Sequence, residues 1–125
     1  MNMQNEISDQ FVLWNKALQT GEPDKVVACY APDAVLLPTV SAKVRHNHDE
    51  MRDYFVHFLA KQPYGRITEQ NIRVYDNIAI NSGLYTFTLM EDGGHADVAA
   101  RFTFVYRKQE DKWLIIEHHS SILPG

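Results

Sequence analysis

The hydrophobic period of this chain changes once, from helical spacing in the first half to strand spacing in the second. Apolar stripes predict amphipathic helices over residues 5–20 and 49–61, with a shorter helix over 24–30. Runs of β-branched and aromatic residues predict strands over 34–37, 66–74, 78–90, 96–107 and 112–122. Helices followed by an antiparallel meander indicate an α+β fold, with the helices packed on a curved sheet that encloses a conical cavity.

Turn-forming residues separate these elements. Gly21 and Pro23 lie between the first two helices, and Ala31-Pro32-Asp33 predicts a turn before the first strand. Glu91-Asp92-Gly93-Gly94 is a strong hairpin signal, and Gln109-Glu110-Asp111 predicts the next turn. There is no internal repeat, so we expect one domain over residues 1–125.

Composition narrows the classes of function. The chain has 125 residues and a net charge of −4, which argues against a nucleic-acid partner and against an anionic membrane surface. No apolar run is long enough to span a membrane, and the polar start lacks the features of a signal peptide, so we expect a cytoplasmic protein. Cys29 is the only cysteine, which excludes an internal disulfide and a cysteine-based zinc site.

The last predicted strand ends in a polar run, Glu117-His118-His119-Ser120-Ser121. Polar groups that are buried need hydrogen-bond partners, so this run is either an internal network or the floor of a polar pocket. Successive residues on a strand point to opposite faces, and the two histidines therefore cannot easily chelate one metal ion together. Strict alternation separates His119 and Ser121 from His118 and Ser120. Both faces are mixed, so the periodicity leaves open which one lines the cavity.

No spacing among the six histidines gives the three-histidine ligand set of a catalytic zinc, so we favour a metal-free mechanism and leave zinc or manganese open. Four other residues are candidates for a site. Thr39 and Tyr54 could project hydroxyls into the cavity, although a turn hydrogen bond and core packing are their common uses. Tyr85 on the middle strand has the same two interpretations. Arg101 lies in an apolar strand, where it could bind an anion, pair with Glu117 or Asp97, or lie exposed at an oligomer edge.

The chain resembles the nuclear transport factor 2-like (cystatin-like) superfamily, through its element order, Tyr30-Ala31-Pro32-Asp33-Ala34, and Lys112-Trp113 before the last strand. Within that superfamily it is similar to the association (hub) domain of calcium/calmodulin-dependent protein kinase II. The similar segments are Tyr54-Phe55, the Asp92-Gly93 hairpin, and Lys112-Trp113 leading to His119 and Ser121. This similarity favours the face of His119 and Ser121 as the one that lines the cavity.

A more specific resemblance is to the iota-class carbonic anhydrases, carried by His118-His119-Ser120-Ser121 followed by Pro124, and by Leu36-Leu37-Pro38-Thr39-Val40-Ser41. It implies reversible hydration of carbon dioxide to bicarbonate. Hydroxyls of Thr39, Tyr54 and Ser121 would hold water or bicarbonate, and His119 would accept or relay the proton. Arg101 and Tyr85 are the candidate substrate-binding residues.

Two other functions fit the same sequence. One is a non-catalytic, self-associating hub-like module, for which we expect a homodimer. The other is a cone-fold hydratase, isomerase or cyclase that acts on a larger organic substrate. A cavity with room for tens of atoms would favour this last function, whereas a small cavity would favour carbon dioxide.

Overall fold

The computed structural model describes residues 3–39 and 41–125. Its helices are α1 (Met3–Gln19), α2 (Pro23–Val27) and α3 (His48–Leu59). Its strands are β1 (Tyr30–Leu37), β2 (Tyr64–Tyr75), β3 (Ile78–Glu91), β4 (Gly94–Gln109) and β5 (Lys112–Ile122). The architecture is α+β, as the change of period predicts. Within the described ranges, no helix is both long enough and apolar enough to cross a membrane.

The five strands form one sheet in the order β1-β5-β4-β3-β2. Strands β2 to β5 make the predicted antiparallel meander, whereas β1 runs parallel to β5 at the edge of the sheet. The predicted turn at 31–33 is wrong, because β1 already begins at Tyr30. Its register with β5 is irregular between Tyr30 and Val35. Pro32 is tolerated there because an edge strand leaves one row of backbone groups unpaired.

The core lies between the helices and one face of the sheet, called here the inner face. Ile7, Phe11, Trp14 and Leu18 recur at helical spacing along α1, and all four are buried. Met51, Phe55 and Leu59 recur at helical spacing along α3, and all three are buried. Burial of each large apolar side chain contributes about 1.5–3 kcal/mol, so these two stripes hold the helices on the sheet.

The predicted hairpin between β3 and β4 is confirmed. Glu91 pairs with Gly94, and Asp92 and Gly93 between them have φ angles of 48° and 80°. Two successive positive φ angles are typical of the type I′ turn, whose twist matches that of paired strands. The turn between β4 and β5 has the same form, with φ angles of 50° at Glu110 and 66° at Asp111.

A bulge in β5 sets the direction of the polar run. Tyr106 of β4 pairs with Ile115, but the next β4 residue towards the N-terminus, Val105, pairs with Glu117. Ile116 is therefore an extra residue, and the alternation of side chains shifts by one position beyond it. His118 is thus buried on the same face as Ile115 and Trp113. Strict alternation would place His118 on the opposite face from those two residues.

Candidate functional site

A cavity of about 180 Å³ lies between the inner face of the sheet and helices α1 and α3. Its walls are mostly apolar, and the exposed side chains of Lys61, Glu91 and Ile122 lie where it opens to solvent. The Lys61 ammonium and the Glu91 carboxylate are 3.0 Å apart. Lining residues with polar groups further in are Trp14, Thr39, Tyr54, Tyr85, His118 and Ser120. The cavity therefore has an apolar body and one cluster of neutral polar groups.

The prediction that His119 and Ser121 line the cavity is wrong. Their neighbours His118 and Ser120 line it and are buried, whereas His119 is exposed on the outer face. The cause is the bulge at Ile116, because one extra residue reverses which side chains of β5 face the core. Ser121 pairs in register with Arg101, on the same outer face.

Arg101 is exposed on the outer face, so the prediction that it contacts a ligand in the cavity is also wrong. Neither predicted partner lies beside it in register. Glu117 pairs with Val105, and Asp97 interacts with Arg66 at 3.5 Å. The other three predicted residues, Thr39, Tyr54 and Tyr85, do line the cavity. What they do there stays a prediction.

The polar cluster is one continuous chain of hydrogen bonds. The indole Nε1–H of Trp14 donates to the Tyr30 hydroxyl over 3.2 Å, and that hydroxyl lies 2.8 Å from Nδ1 of His118. On the other side of the ring, Nε2 lies 3.2 Å from the Tyr85 hydroxyl, which donates to Ser120 over 2.7 Å. The hydroxyls of Ser120 and Thr39 complete the chain with a hydrogen bond to each other.

The direction of these bonds assigns the tautomer of His118. Indole can only donate, so Tyr30 accepts from Trp14 and uses its one hydrogen on Nδ1. The ring proton is therefore on Nε2 and is donated to Tyr85, which in turn donates to Ser120. Whichever of Ser120 and Thr39 donates to the other, the pair keeps one hydroxyl hydrogen that no bond in the chain uses. That hydrogen is available to a ligand in the cavity.

The opposite tautomer gives a different site. With the proton on Nδ1, Tyr30 would accept from both Trp14 and His118, and its own hydrogen would be left unpaired in the core. An unpaired buried donor costs about 1–3 kcal/mol. Tyr85 would donate to Nε2 and could then only accept from Ser120. The Ser120–Thr39 pair would offer acceptors alone. Tyr30 therefore makes the polar end of the cavity a hydrogen-bond donor.

The cluster carries no charge near neutral pH. Burial lowers the pKa of His118 to about 3, and the neighbouring His119 adds to this effect. Burial raises the pKa of Tyr54 to about 12, against the opposing charge of Arg45. Burial also raises the pKa values of Tyr30 and Tyr85 above the ordinary tyrosine range. The cavity therefore presents neutral hydroxyls and a neutral imidazole.

Sequence reasoning missed Trp14 and Tyr30 as parts of the site. Trp14 falls on the apolar stripe of α1, and Tyr30 lies at the end of the predicted second helix, so neither pattern distinguishes them from packing residues. Tyr30 is held from a third direction, because Nε2 of His48 lies 2.8 Å from its backbone carbonyl oxygen. Across residues 3–39 and 41–125, no three His, Cys, Asp or Glu side chains converge into a group that could hold a metal ion.

The helices packed on one curved sheet, with a cavity between them, are the nuclear transport factor 2-like (cystatin-like) fold. An NTF2-like protein of this fold from Novosphingobium aromaticivorans superposes with a TM-score of 0.82, at 10% identity over 98% of this chain and 82% of the other. More narrowly, residues 3–124 match the model of the calcium/calmodulin dependent protein kinase II association domain. The chain belongs to that family.

Two solved structures illustrate the family. A Xanthomonas campestris protein, provisionally described as a calcium/calmodulin dependent protein kinase II association domain, is 50% identical with a TM-score of 0.93, over 95% of this chain and 86% of its own. The CaMKII hub homology domain of Chlamydomonas reinhardtii has a TM-score of 0.84 at 18% identity, over 99% and 100% of the two chains. At 18% identity, the similarity to the Chlamydomonas reinhardtii structure shows a shared fold alone. No curated protein matches the chain.

Proposed function

We propose that the protein catalyses the reversible hydration of carbon dioxide to bicarbonate, in the cavity lined by Thr39, Tyr85, His118 and Ser120. The observation that carries the proposal is the unused hydroxyl hydrogen of the Ser120–Thr39 pair, at the polar end of an otherwise apolar cavity. The resemblance of His118-His119-Ser120-Ser121 and Pro124 to the iota-class carbonic anhydrases supports it from the sequence side.

The size of the cavity favours a small substrate. Its volume is about 180 Å³. Pockets for drug-sized ligands are larger, at roughly 300–1,000 Å³. A carbon dioxide molecule with an attacking water fits this volume, whereas a substrate of tens of atoms would extend through the open mouth into solvent. The enclosed volume therefore favours the small substrate over a large organic compound.

The roles of the residues follow from the hydrogen-bond chain. Carbon dioxide packs against the apolar walls, which include Leu36 and Phe55, and one of its oxygens accepts the free hydroxyl hydrogen. Attack of water on the carbon places negative charge on that oxygen, and the donor stabilises it. One such donor contributes about 10²–10³-fold in rate. Tyr85 and His118 hold the donor in position, and Tyr30 sets its direction.

The proton released from water does not go to His118 in this proposal. Both ring nitrogens are engaged, and the pKa of about 3 makes the imidazole a weak base at neutral pH. The chain of hydrogen bonds also ends at Trp14, which cannot accept a proton. The proton therefore leaves through the open mouth of the cavity to a base in solution, and the rate should rise with buffer concentration. No inflection from His118 is expected between pH 5 and 8.

A carbon dioxide hydration assay tests the proposal. The protein is stripped of metal with a chelator, and the initial rate is compared with the rate in buffer alone and after addition of zinc or manganese. Ser120→Ala should lower the excess rate, because it removes the link between the Tyr85 and Thr39 hydroxyls that holds the donor in position. Ser121→Ala is the matched control on the outer face, and it should retain activity. A rate equal to that of buffer under all these conditions would refute the proposal.

The second candidate function is self-association as a non-catalytic hub, and family membership favours it. The outer face of the sheet offers half-buried apolar side chains, among them Ile80 and Val105, beside the exposed charges of Arg101 and Glu117. Neither charge has an ion-pair partner within the described part of the chain. A mass in solution above the 14.4 kDa of one chain supports assembly, and loss of assembly on Val105→Glu but not on the helix variant Val56→Glu would locate it on the sheet. A monomer mass at all concentrations would contradict it.

A further inference from the structure

Arg45 is a buried charge whose carboxylate partner lies largely in solvent. Its side chain is 9% exposed, and among residues 3–39 and 41–125 it is the one Lys, Arg, Asp or Glu residue that is buried. The Asp53 carboxylate lies 3.0 Å away but is 63% exposed. Burying an arginine is costly unless its donors are paired, so the other contacts of the guanidinium have to account for its position.

The guanidinium joins the loop between β1 and α3, residues 38–47, to α3 itself. Nη1 donates to the backbone oxygen of Glu50 and to the carboxylate of Asp53, each over 3.0 Å. Nε donates to the backbone oxygen of Lys43 over 3.3 Å, and Nη2 donates to the Ser41 hydroxyl over 3.4 Å. Each of the three nitrogens therefore has an acceptor of its own. The planar fork of arginine can make this arrangement, whereas the single ammonium group of lysine cannot.

The backbone of Arg45 closes the same loop. Arg45 and Leu36 exchange both of their backbone hydrogen bonds, each 2.9 Å long, in an isolated antiparallel bridge. The chain between these two residues therefore leaves the end of β1 and returns to it as a closed loop. Thr39 lies within this loop. The bridge fixes the loop at its base, and the guanidinium fastens its returning side to α3.

The place of Thr39 at the cavity depends on this loop. Within the described ranges, the Ser120 hydroxyl is the one hydrogen-bond partner of Thr39. The direction of the Thr39 hydroxyl therefore follows from how the loop is held at Leu36 and Arg45. Arg45 does not line the cavity, but its guanidinium carbon lies 5.5 Å from the ring centroid of Tyr54, which does. Arg45 thus lies behind the cavity wall, where it supports lining residues without reaching a substrate.

We propose that Arg45 is a positioning residue for carbon dioxide hydration, because its contacts with the loop hold the Thr39 hydroxyl against Ser120. This role rests on the proposed function, since it concerns the donor pair of the same cavity. Hydroxyls held in one geometry stabilise the charge that develops on the substrate oxygen. A loosened loop would let Thr39 turn away from Ser120, and the donor would lose its alignment.

Arg45→Lys tests the proposal, because it keeps the positive charge beside Tyr54 and removes the fork that reaches the loop. We expect kcat to fall by about 10- to 100-fold, which is the effect of displacing a group at the site by about 1 Å. KM for carbon dioxide should change far less, since the apolar walls are unaffected. Arg52→Lys is the matched control on α3. Arg52 pairs with Asp24 and Asp49, away from the loop, and this variant should retain the wild-type kcat.

The same substitution in a Thr39→Ala background separates positioning from a general loss of structure. If Arg45 acts through the Thr39 hydroxyl, Arg45→Lys should cause little further loss of kcat once that hydroxyl is absent. An equal factor of loss in both backgrounds would show that Arg45 supports the fold rather than Thr39, and it would overturn the proposal.

A crystal structure of Arg45→Lys gives a readout that does not depend on catalysis. We expect the hydroxyl oxygens of Thr39 and Ser120 to lie beyond hydrogen-bond distance, with the bonds from Trp14 to Ser120 intact. Ser41→Ala removes a single loop contact and should fold normally, so it tests the same displacement to a smaller extent if Arg45→Lys does not fold. An unchanged Thr39–Ser120 bond in the variants that fold would overturn the proposal. A wild-type rate equal to that of buffer would refute carbon dioxide hydration, while this distance would still decide whether Arg45 positions Thr39.

Discussion

Replacing Tyr30 by Phe removes a single oxygen atom and interrupts the hydrogen-bond chain at its buried end. Two groups lose their partner: the indole N–H of Trp14 and Nδ1 of His118. The residues that carry them are only 2% and 3% exposed, so water does not readily replace the lost hydroxyl. Each unpaired buried group costs about 1–3 kcal/mol, and we expect Tyr30→Phe to lower the free energy of unfolding by about 2–4 kcal/mol.

The same substitution should change the tautomer of His118. In the wild type, a proton on Nδ1 leaves the hydroxyl hydrogen of Tyr30 without an acceptor, at a cost of about 1–3 kcal/mol. This cost corresponds to a preference of about 5- to 140-fold for the Nε2–H tautomer. Without Tyr30 that cost disappears, and the two tautomers approach equal populations. Because the Nδ1–H form leaves the Ser120–Thr39 pair with acceptors only, we expect the carbon dioxide hydration rate to fall as well.

Nitrogen NMR of the imidazole ring measures the tautomer directly, and denaturant unfolding measures the stability. Tyr64→Phe is the matched control, because Tyr64 is 48% exposed and the same atom is removed at the surface. Its effect on the free energy of unfolding should stay within about 0.5 kcal/mol. A wild-type His118 that carries its proton on Nδ1, or a Tyr30→Phe variant in which Nε2–H persists unchanged, would refute the bond directions assigned here.

The remaining predictions concern pH. The pKa of His118 is lowered by burial to about 3 in the folded protein, against 6.5 for an exposed histidine, so between these values the unfolded chain binds the extra proton. Stability is therefore full above about pH 6.5 and should fall by about 1.4 kcal/mol per pH unit between about pH 6 and 4. His118→Gln should flatten this dependence, whereas the exposed-residue control His57→Gln should keep it; an unchanged slope in His118→Gln would contradict the assignment. The hydration rate should rise with the concentration of buffer base at fixed pH, and saturation at a plateau set by a group with a pKa near 6.5 would show that a histidine takes the proton.

The spacing of apolar residues and the turn-forming residues were enough to predict the helices, the meander and the hairpin at Asp92-Gly93, because each of these depends on local sequence. The parallel edge strand was only partly predicted. Residues 34–37 read as a strand, but Ala31-Pro32-Asp33 has the composition of a turn. Its extended form depends on pairing with β5, which is a contact between distant parts of the chain.

The site was half predicted for a similar reason. Thr39, Tyr54 and Tyr85 were expected to face the cavity, and they do. His119 and Ser121 were favoured over His118 and Ser120 by similarity to the hub domain, and strict alternation through Ile116 placed them on the face of Trp113 and Ile115. A bulge is a property of the pairing between β4 and β5, and nothing in the composition of β5 marks its position. The one-residue shift in register at the bulge therefore decides which of the two histidines is buried.

A crystal structure of the protein soaked with bicarbonate tests the central claim most directly. The account predicts the anion in the cavity of about 180 Å³, with one oxygen within hydrogen-bond distance of the Ser120 or Thr39 hydroxyl and no contact to His119. The same soak of the Ser120→Ala variant should give a lower occupancy of bicarbonate in the cavity. Bicarbonate bound on the outer face beside His119, Ser121 and Arg101, with none beside Ser120, would contradict the account.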